Sequence, residues 1–179
     1  QDALKIDYND FLKKNSIIVG NLPFNISTKL LMNWVLLNRW PPLYNKMYLM
    51  FQKEVAERIL AKNGTKEYGR LSVLSQWKLD IKKICDIKPN SFHPKPKVDS
   101  SLLYFKPKKN YYNFNDPKNL ELITRIFFNQ RRKMLKKPFN KIFNGDIEIA
   151  NKLKIDLNLR PQNLDHETYY KITKEYENL

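Results

Sequence analysis

Apolar residues recur along this chain in two rhythms. Ile17-Ile18-Val19-Gly20 is an unbroken apolar run that reads as a buried strand over residues 16–20. Ser27 or Thr28 can cap a helix that carries Leu30, Leu31, Trp34, Val35 and Leu37 at helical spacing, and Trp40-Pro41-Pro42 ends it. Residues 47–51 form a second strand candidate. Residues 53–62 read as a helix with Val55, Ile59 and Leu60 inward, stopped by Asn63-Gly64. A further helix covers 69–79, and strands cover 81–87 and 98–105. The segment between those two strands holds Pro89, Pro94 and Pro96, so it is an extended loop, and the strands it joins should run antiparallel. Strands alternating with helices predict an α/β unit with a mainly parallel sheet.

The pattern changes at residues 106–115, where lysine, proline, tyrosine and asparagine replace the apolar rhythm. Beyond this linker only helical spacing is found. Residues 120–128 are strongly amphipathic, Arg131–Lys137 continues or restarts the helix before Pro138, and shorter helices are expected near 148–153 and 167–176. This places an α/β domain at 1–107 and a small all-α domain at 108–179.

Composition narrows the class. Hydrophobic residues make up 42% of the 179, enough for a packed core. The net charge is +15; residues 1–107 contribute +9 (18 basic, 9 acidic) and residues 108–179 contribute +6 (15 basic, 9 acidic). Both parts are basic, so the charge is no detachable tail, and it points to a polyanionic partner such as nucleic acid; a lysine-rich proteome gives the same bias. The single cysteine, Cys85, cannot form an intrachain disulfide, and with two scattered histidines no metal site is visible. No apolar run approaches the roughly 18 residues of a membrane span. The chain starts with Gln1 rather than methionine, in a segment that reads like the end of a strand, as a piece of a longer protein would.

Four stretches carry candidate chemistry. The first is Asn21-Leu22-Pro23-Phe24, directly after the first strand. The Asn21 side-chain oxygen and the Leu22 carbonyl can each accept one hydrogen of an exocyclic amine. Pro23 fixes the backbone between them, and Phe24 offers a face for a base. Such a set can grip the N6 of adenine; the same tetrapeptide also serves as an ordinary loop. The second is the proline-stiffened loop around Phe92, where one aromatic ring and two lysines, Lys95 and Lys97, suit a stacked base with phosphates nearby. A connector whose Phe plugs the core has the same composition. The third is Arg131-Arg132-Lys133, three cations able to hold phosphates or to form a solvated helix face. The fourth is Asp2, a carboxylate at a strand end that can accept a hydrogen bond from an adenosyl amine.

The order QDAL, GNLPFNIST, QKEVAERI, YGRLSVLSQ, SFHPKPKVDSSLL, FFNQRRKML, RPQNL resembles the small-subunit rRNA adenine dimethyltransferases over nearly the whole chain. The FNQRRK segment is its most discriminating part. The resemblance implies the C-terminal part of a Rossmann-like, S-adenosylmethionine-dependent methyltransferase sheet followed by a small helical domain. It implies Asn21 and Leu22 holding adenine N6, Pro23 shaping their turn, and Phe24 and Phe92 on the two faces of the target base. Asp2, Ala3 and Asn21 would border the cofactor, and Arg131, Arg132 and Lys133, with Lys95 and Lys97, would meet rRNA. The expected partner is small-subunit rRNA or an immature small subunit, met by a cytoplasmic monomer; the expected reaction is dimethylation of adjacent adenines near the rRNA 3′ end. Phe24 stands where a tyrosine is common in the family. The glycine-rich cofactor loop and acidic ribose-binding residue that the family places before QDA are missing, as are roughly the first three strands. These 179 residues alone are therefore expected to bind cofactor poorly and to leave Ile17–Gly20 as an uncovered sheet edge. A non-catalytic RNA-binding or ribosome-assembly protein, and a methylase of large-subunit rRNA or of DNA, are the competing readings.

Overall fold

A computed structural model of the chain describes residues 3–6, 8–37 and 39–179. Asp2, a predicted cofactor contact, lies outside the described residues. Packing divides the chain into two units: residues 1–60 with 78–111, and residues 61–77 with 112–179. The last crossing lies between Tyr111 and Tyr112, inside the compositionally distinct stretch 106–115. The segment 61–77, which sequence patterning places with the sheet, packs with the helical unit instead.

The first unit is built on four strands, β1 (Ser16–Asn21), β2 (Tyr44–Gln52), β3 (Leu79–Ile87) and β4 (Ser100–Pro107), in the order β1-β2-β4-β3. β1 and β2 are parallel, whereas β2–β4 and β3–β4 are antiparallel. The antiparallel β3–β4 pair agrees with the sequence pattern. The mainly parallel sheet does not hold for these strands, because a connection without a helix returns the chain antiparallel and β4 inserts between β2 and β3. The crossover from β1 to β2 carries α1 (Phe24–Val35), which buries Leu30, Leu31, Trp34 and Val35. α2 (Lys53–Leu60) buries Ala56 and Ile59 and touches β2, β3 and β4. Met47, Leu49, Phe51, Leu103 and Phe105 complete the core from the two central strands.

β1 is the uncovered sheet edge expected at Ile17–Gly20, and not the buried strand that its apolar run alone predicts. It is an edge strand whose residues alternate between half-buried and exposed, with Ile17 52% and Val19 76% exposed. One row of its side chains reaches the core; the other has no cover among the described residues.

The second unit holds α3 (Arg70–Lys78) up to Trp77, α4 (Pro117–Phe128), α5 (Lys136–Phe143), α6 (Ile147–Lys152) and α7 (His166–Glu177). Asp116, Asp146 and Asp165 cap α4, α6 and α7 by accepting backbone N–H bonds. Trp77 seats against Phe114 and donates its indole N–H to the Tyr112 carbonyl at 2.7 Å. Tyr170 donates its hydroxyl to the Val73 carbonyl at 3.1 Å. These bonds explain why 61–77 belongs here: its aromatic and backbone partners lie in the C-terminal half. Pro138 does not end a helix. It sits in the first turn of α5, where a missing N–H costs nothing, and 129–133 form turns instead of helix.

One buried charge in the first unit sets a pH dependence. Lys78 is 3% exposed, donates its ammonium to the Leu37 carbonyl at 2.9 Å, and lies 5.0 and 5.5 Å from the ring centres of Trp40 and Tyr111. The rings favour the cation, but burial outweighs them and pushes the amine down to about 8. The folded chain therefore sheds this proton near pH 8, while the unfolded chain holds it to its ordinary value of 10.5. Between those limits the unfolded state binds more protons, so stability from this group rises with pH. Urea unfolding at pH 7.5 and pH 10 should show the wild type gaining on the order of 2 kcal/mol relative to Lys78→Met.

Candidate active site

The turn after β1 is short because each of its residues is already committed. Gly20 is flat against its neighbours: a Cβ there would approach Leu22 Cδ2 to 2.9 Å and Leu49 Cδ2 to 3.2 Å. Asn21 ends the strand and is exposed. Leu22 folds its side chain back toward Gly20, leaving its backbone on the turn. Pro23 holds φ −55° and ψ 128°, and its carbonyl accepts from the N–H groups of Ile26 at 3.1 Å and Ser27 at 3.0 Å. Helix α1 thus begins at Phe24, three to four residues before the Ser27/Thr28 cap read from sequence. Ser27 is buried and turns its hydroxyl to the Phe24 carbonyl at 3.1 Å. Phe24 is half-buried at the first helical position.

The Phe92 loop emerges at the same end of the sheet. Asn21 pairs with Met50 and Met50 with Leu102, so the three residues form a row across three strands. Ile87 and Ser100, which bracket the loop, pair with each other just beyond that row. With strands about 4.8 Å apart, the β1 tip lies about 10 Å of sheet from the strand that the loop enters. This is the carboxyl end of β1 and β2, where ligands of open α/β sheets bind.

Hydrogen bonds fix the loop at its base. Lys53 N–H donates to the Asp99 carbonyl at 2.9 Å, and the Lys88 ammonium meets Asp99 Oδ2 at 2.9 Å. Asp99 raises the Lys88 pKa through that bond. Next to it, Ser101 donates to Asp86 Oδ1 at 2.6 Å, while Lys83 and Lys53 stand 3.2 and 3.7 Å from Asp86 Oδ2. The Ser101 hydroxyl first, and then Lys83, hold the Asp86 carboxyl below its ordinary range. A single turn, with the Ser91 and Phe92 N–H groups donating to the Lys88 and Pro89 carbonyls, then sets Phe92 half-buried. Lys95 and Lys97 are exposed farther along. No metal-binding group of three or more His, Cys, Asp or Glu residues occurs among the described residues. Ala3, the other predicted cofactor neighbour, is half-buried and its carbonyl accepts the Tyr8 hydroxyl at 2.8 Å.

Arg131, Arg132 and Lys133 lie in the helical unit, on a cavity of about 1050 Å³ between the end of α4 and the start of α5. They do not share one task. Arg131 is half-buried and donates to the carbonyls of Lys66 and of Thr65, the latter at 3.4 Å. Arg132 and Lys133 face solvent. The same cavity is lined by Lys136, Lys137 and Arg160, making six cations with no carboxylate. Sequence reading passed over these last three. Lys136 and Lys137 were visible as charge but sat in a segment expected to end at Pro138, and Arg160 is distant in sequence.

The family model described as ribosomal RNA adenine dimethylase matches residues 1–178. The chain belongs to that family. It is 56% identical to ribosomal RNA small subunit methyltransferase A of Pelagibacter ubique over 99% of its own length and 68% of that relative. It is 39% identical to the protein of the same name from Rhizobium etli over 94% of its length, and 40% to that of Brucella anthropi over 98%. The chain spans 60% and 63% of those two relatives. Among solved structures, a dimethyladenosine transferase from Plasmodium falciparum matches with a TM-score of 0.79 at 27% identity, over 99% of this chain and 71% of that one. The 23S rRNA methyltransferase ErmE matches with a TM-score of 0.63 at 16% identity, over 93% of this chain and 66% of that one, a likeness of fold alone. The α/β sheet described above is thus of the Rossmann-like methyltransferase type.

Two outcomes follow from this geometry. Gly20→Ala should crowd the Leu22 and Leu49 side chains and lower stability by about 1–3 kcal/mol in a thermal melt, because overpacked side chains leave their preferred rotamers. Arg131→Ala should lower stability by about 1–2 kcal/mol in a thermal melt through its lost carbonyl bonds. Arg132→Gln with Lys133→Gln should leave stability within about 0.5 kcal/mol. If RNA phosphates occupy this groove, that pair should make the salt dependence of binding shallower by about 1.4–1.8 in log–log slope.

Proposed function

We propose that the chain carries the methyl-acceptor pocket and the RNA-docking groove of an S-adenosylmethionine-dependent rRNA adenine-N6 dimethyltransferase. Its substrate is a pair of adjacent adenines near the 3′ end of small-subunit rRNA, met on an immature small subunit by a cytoplasmic monomer. One observation carries the reading. In a chain of this family, an open amide and a constrained peptide carbonyl stand at a strand tip, on the sheet end that also presents Phe92. No helix among the described residues is long and apolar enough to cross a membrane.

Bound S-adenosylmethionine supplies an electrophilic sulfonium methyl group, so the protein needs no nucleophile of its own. The residues here orient the acceptor. The N6 lone pair of adenine is delocalised into the ring and attacks poorly. Asn21 Oδ1 and the Leu22 carbonyl accept the two N6 hydrogens, favour a more pyramidal nitrogen and aim its lone pair. Orientation of this kind is worth up to ~7–11 kcal/mol, and aligned dipoles add to it. The exposed Asn21 carboxamide fits the demand for an acceptor beside an amine-bearing purine. Pro23 keeps the carbonyl in register, because its own oxygen is spent on the first turn of α1. Drawing the base out of its stack costs a few kcal/mol. Phe24 and Phe92 offset this by about 1–3 kcal/mol per stacked face. Each transfer exchanges one N6 hydrogen for the methyl group, and that hydrogen leaves as a proton to solvent; after the first, one N6 hydrogen remains, and either acceptor can hold it while the amine turns for the second.

In the helical unit, the six-cation groove around Arg132 and Lys133 suits rRNA phosphates, and neutralising them releases counterions. In the full-length protein, Asn21→Ala should lower methyl transfer to small-subunit rRNA by about 10²–10³-fold and leave RNA affinity within about twofold. Unchanged turnover would remove Asn21 from the reaction. A wild-type protein that binds rRNA but transfers no methyl group would support the assembly-factor reading.

A further inference from the structure

The opposite end of the same sheet carries a second concave surface. It is lined by the residues entering β1 and β2 and those leaving β4, and encloses about 900 Å³. The pairing of Ser16 with Tyr44 and of Leu79 with Pro107 puts it at the strand ends away from Asn21 and Ser100. β2 runs between the two ends in eight steps, a separation of about 26 Å at about 3.3 Å per step. Four lysines line this cavity, Lys14, Lys106, Lys108 and Lys109, against the single carboxylate of Asp80. Lys14, Lys106 and Lys109 are exposed, and none forms an ion pair among the described residues.

Two aromatic rings stand among these charges. Trp40 and Tyr111 meet edge to face with centroids 5.8 Å apart, and both are half-buried on the cavity wall. The Trp40 indole N–H donates to the Lys108 carbonyl at 3.1 Å, and the buried Lys78 ammonium supports both rings. The rings are therefore set in place before any ligand arrives. Cations alone would suit any polyanion. Cations around a fixed aromatic pair suit one that also carries flat rings, which is the chemistry of single-stranded nucleic acid. An acidic peptide or a free polyphosphate would use the lysines and leave the rings idle.

We infer that this end of the sheet is a second RNA-binding site, separate from the methyl-acceptor pocket. Lys14, Lys106 and Lys109 contact phosphates, and a base stacks on Trp40 or Tyr111. The site requires neither the methyl donor nor the Asn21 turn, so it stands or falls apart from the reading of that turn.

The tryptophans supply the assay. Trp34 and Trp77 are 3% and 1% exposed, whereas Trp40 lines the cavity. Titrating the chain with an octauridylate should quench tryptophan emission saturably, and Trp40→Phe should abolish that quench. The triple variant Lys14→Gln, Lys106→Gln, Lys109→Gln changes only exposed side chains. It should weaken the quench-detected binding at least tenfold and make its salt slope shallower by about 2, at about 0.7 per phosphate contact. Arg132→Gln with Lys133→Gln should keep the Trp40 quench, which separates this site from the groove of the helical unit. Absence of quenching, quenching that survives Trp40→Phe, or unchanged affinity in the triple variant would each overturn the inference. Inorganic tripolyphosphate binding as tightly as the octauridylate would also overturn it, since a base would then add nothing.

Discussion

The peptide carbonyl of Pro23 links the fold to the chemistry proposed for its turn. By accepting two N–H groups at the start of α1, it closes a strand-to-helix turn with no slack, and it does so at a residue whose own φ is fixed by its ring. A looser turn would let Leu22 rotate and would separate its carbonyl from the Asn21 amide. Gly20 adds to the constraint from the strand side, because only the absence of a side chain there lets Leu22 lie back over β2. Buried leucines and Trp34 anchor α1 behind the turn, so core packing supports the exposed Asn21 and the half-buried Leu22 at its mouth. Rigid support behind and open solvent in front are what a positioning site requires.

Charge is organised more finely than its total implies. Some cations are structural: Arg131 is spent on the carbonyls of Thr65 and Lys66, Lys78 on a carbonyl and two rings, and Lys88 on the loop that presents Phe92. Others, such as Arg132, Lys133, Lys106 and Lys109, are exposed and lie on concave surfaces. The two groups differ in kind. Structural lysines and arginines bond to backbone oxygens or carboxylates within their own unit, and their loss is felt as stability. Exposed ones meet mobile counterions, and their loss is felt as salt dependence.

Most of the elements were legible in the sequence because periodicity is a local property. The helix at Leu30–Val35, the proline loop before Ser100 and the antiparallel return of the last strands all follow from it. Three features were not legible, each for a non-local reason. The run at Ile17–Val19 reads as buried, yet burial depends on what lies beside the strand. Pro138 reads as a stop, yet it opens α5, because only the turns at 129–133 decide which side of it the helix takes. The segment 61–77 reads as part of the sheet domain, yet its partners, Tyr112, Phe114 and Tyr170, come much later in the chain. At the candidate site the tetrapeptide gave the polar atoms and their order. It could not give the sheet end that the Phe92 loop shares, which strand register alone decides.

The route of residues 61–77 has a kinetic consequence. The helical unit is discontinuous, and its two parts are separated by residues 78–111, a span of 34 residues that holds β3 and β4. Bringing Trp77 to Phe114 therefore closes a long loop, at an entropic cost that grows with its length. If the β3–β4 hairpin zips first, Leu79 and Pro107 come together and that loop is already almost shut. In that order of assembly the hairpin meets most of the closure entropy of the discontinuous unit before its helices pack.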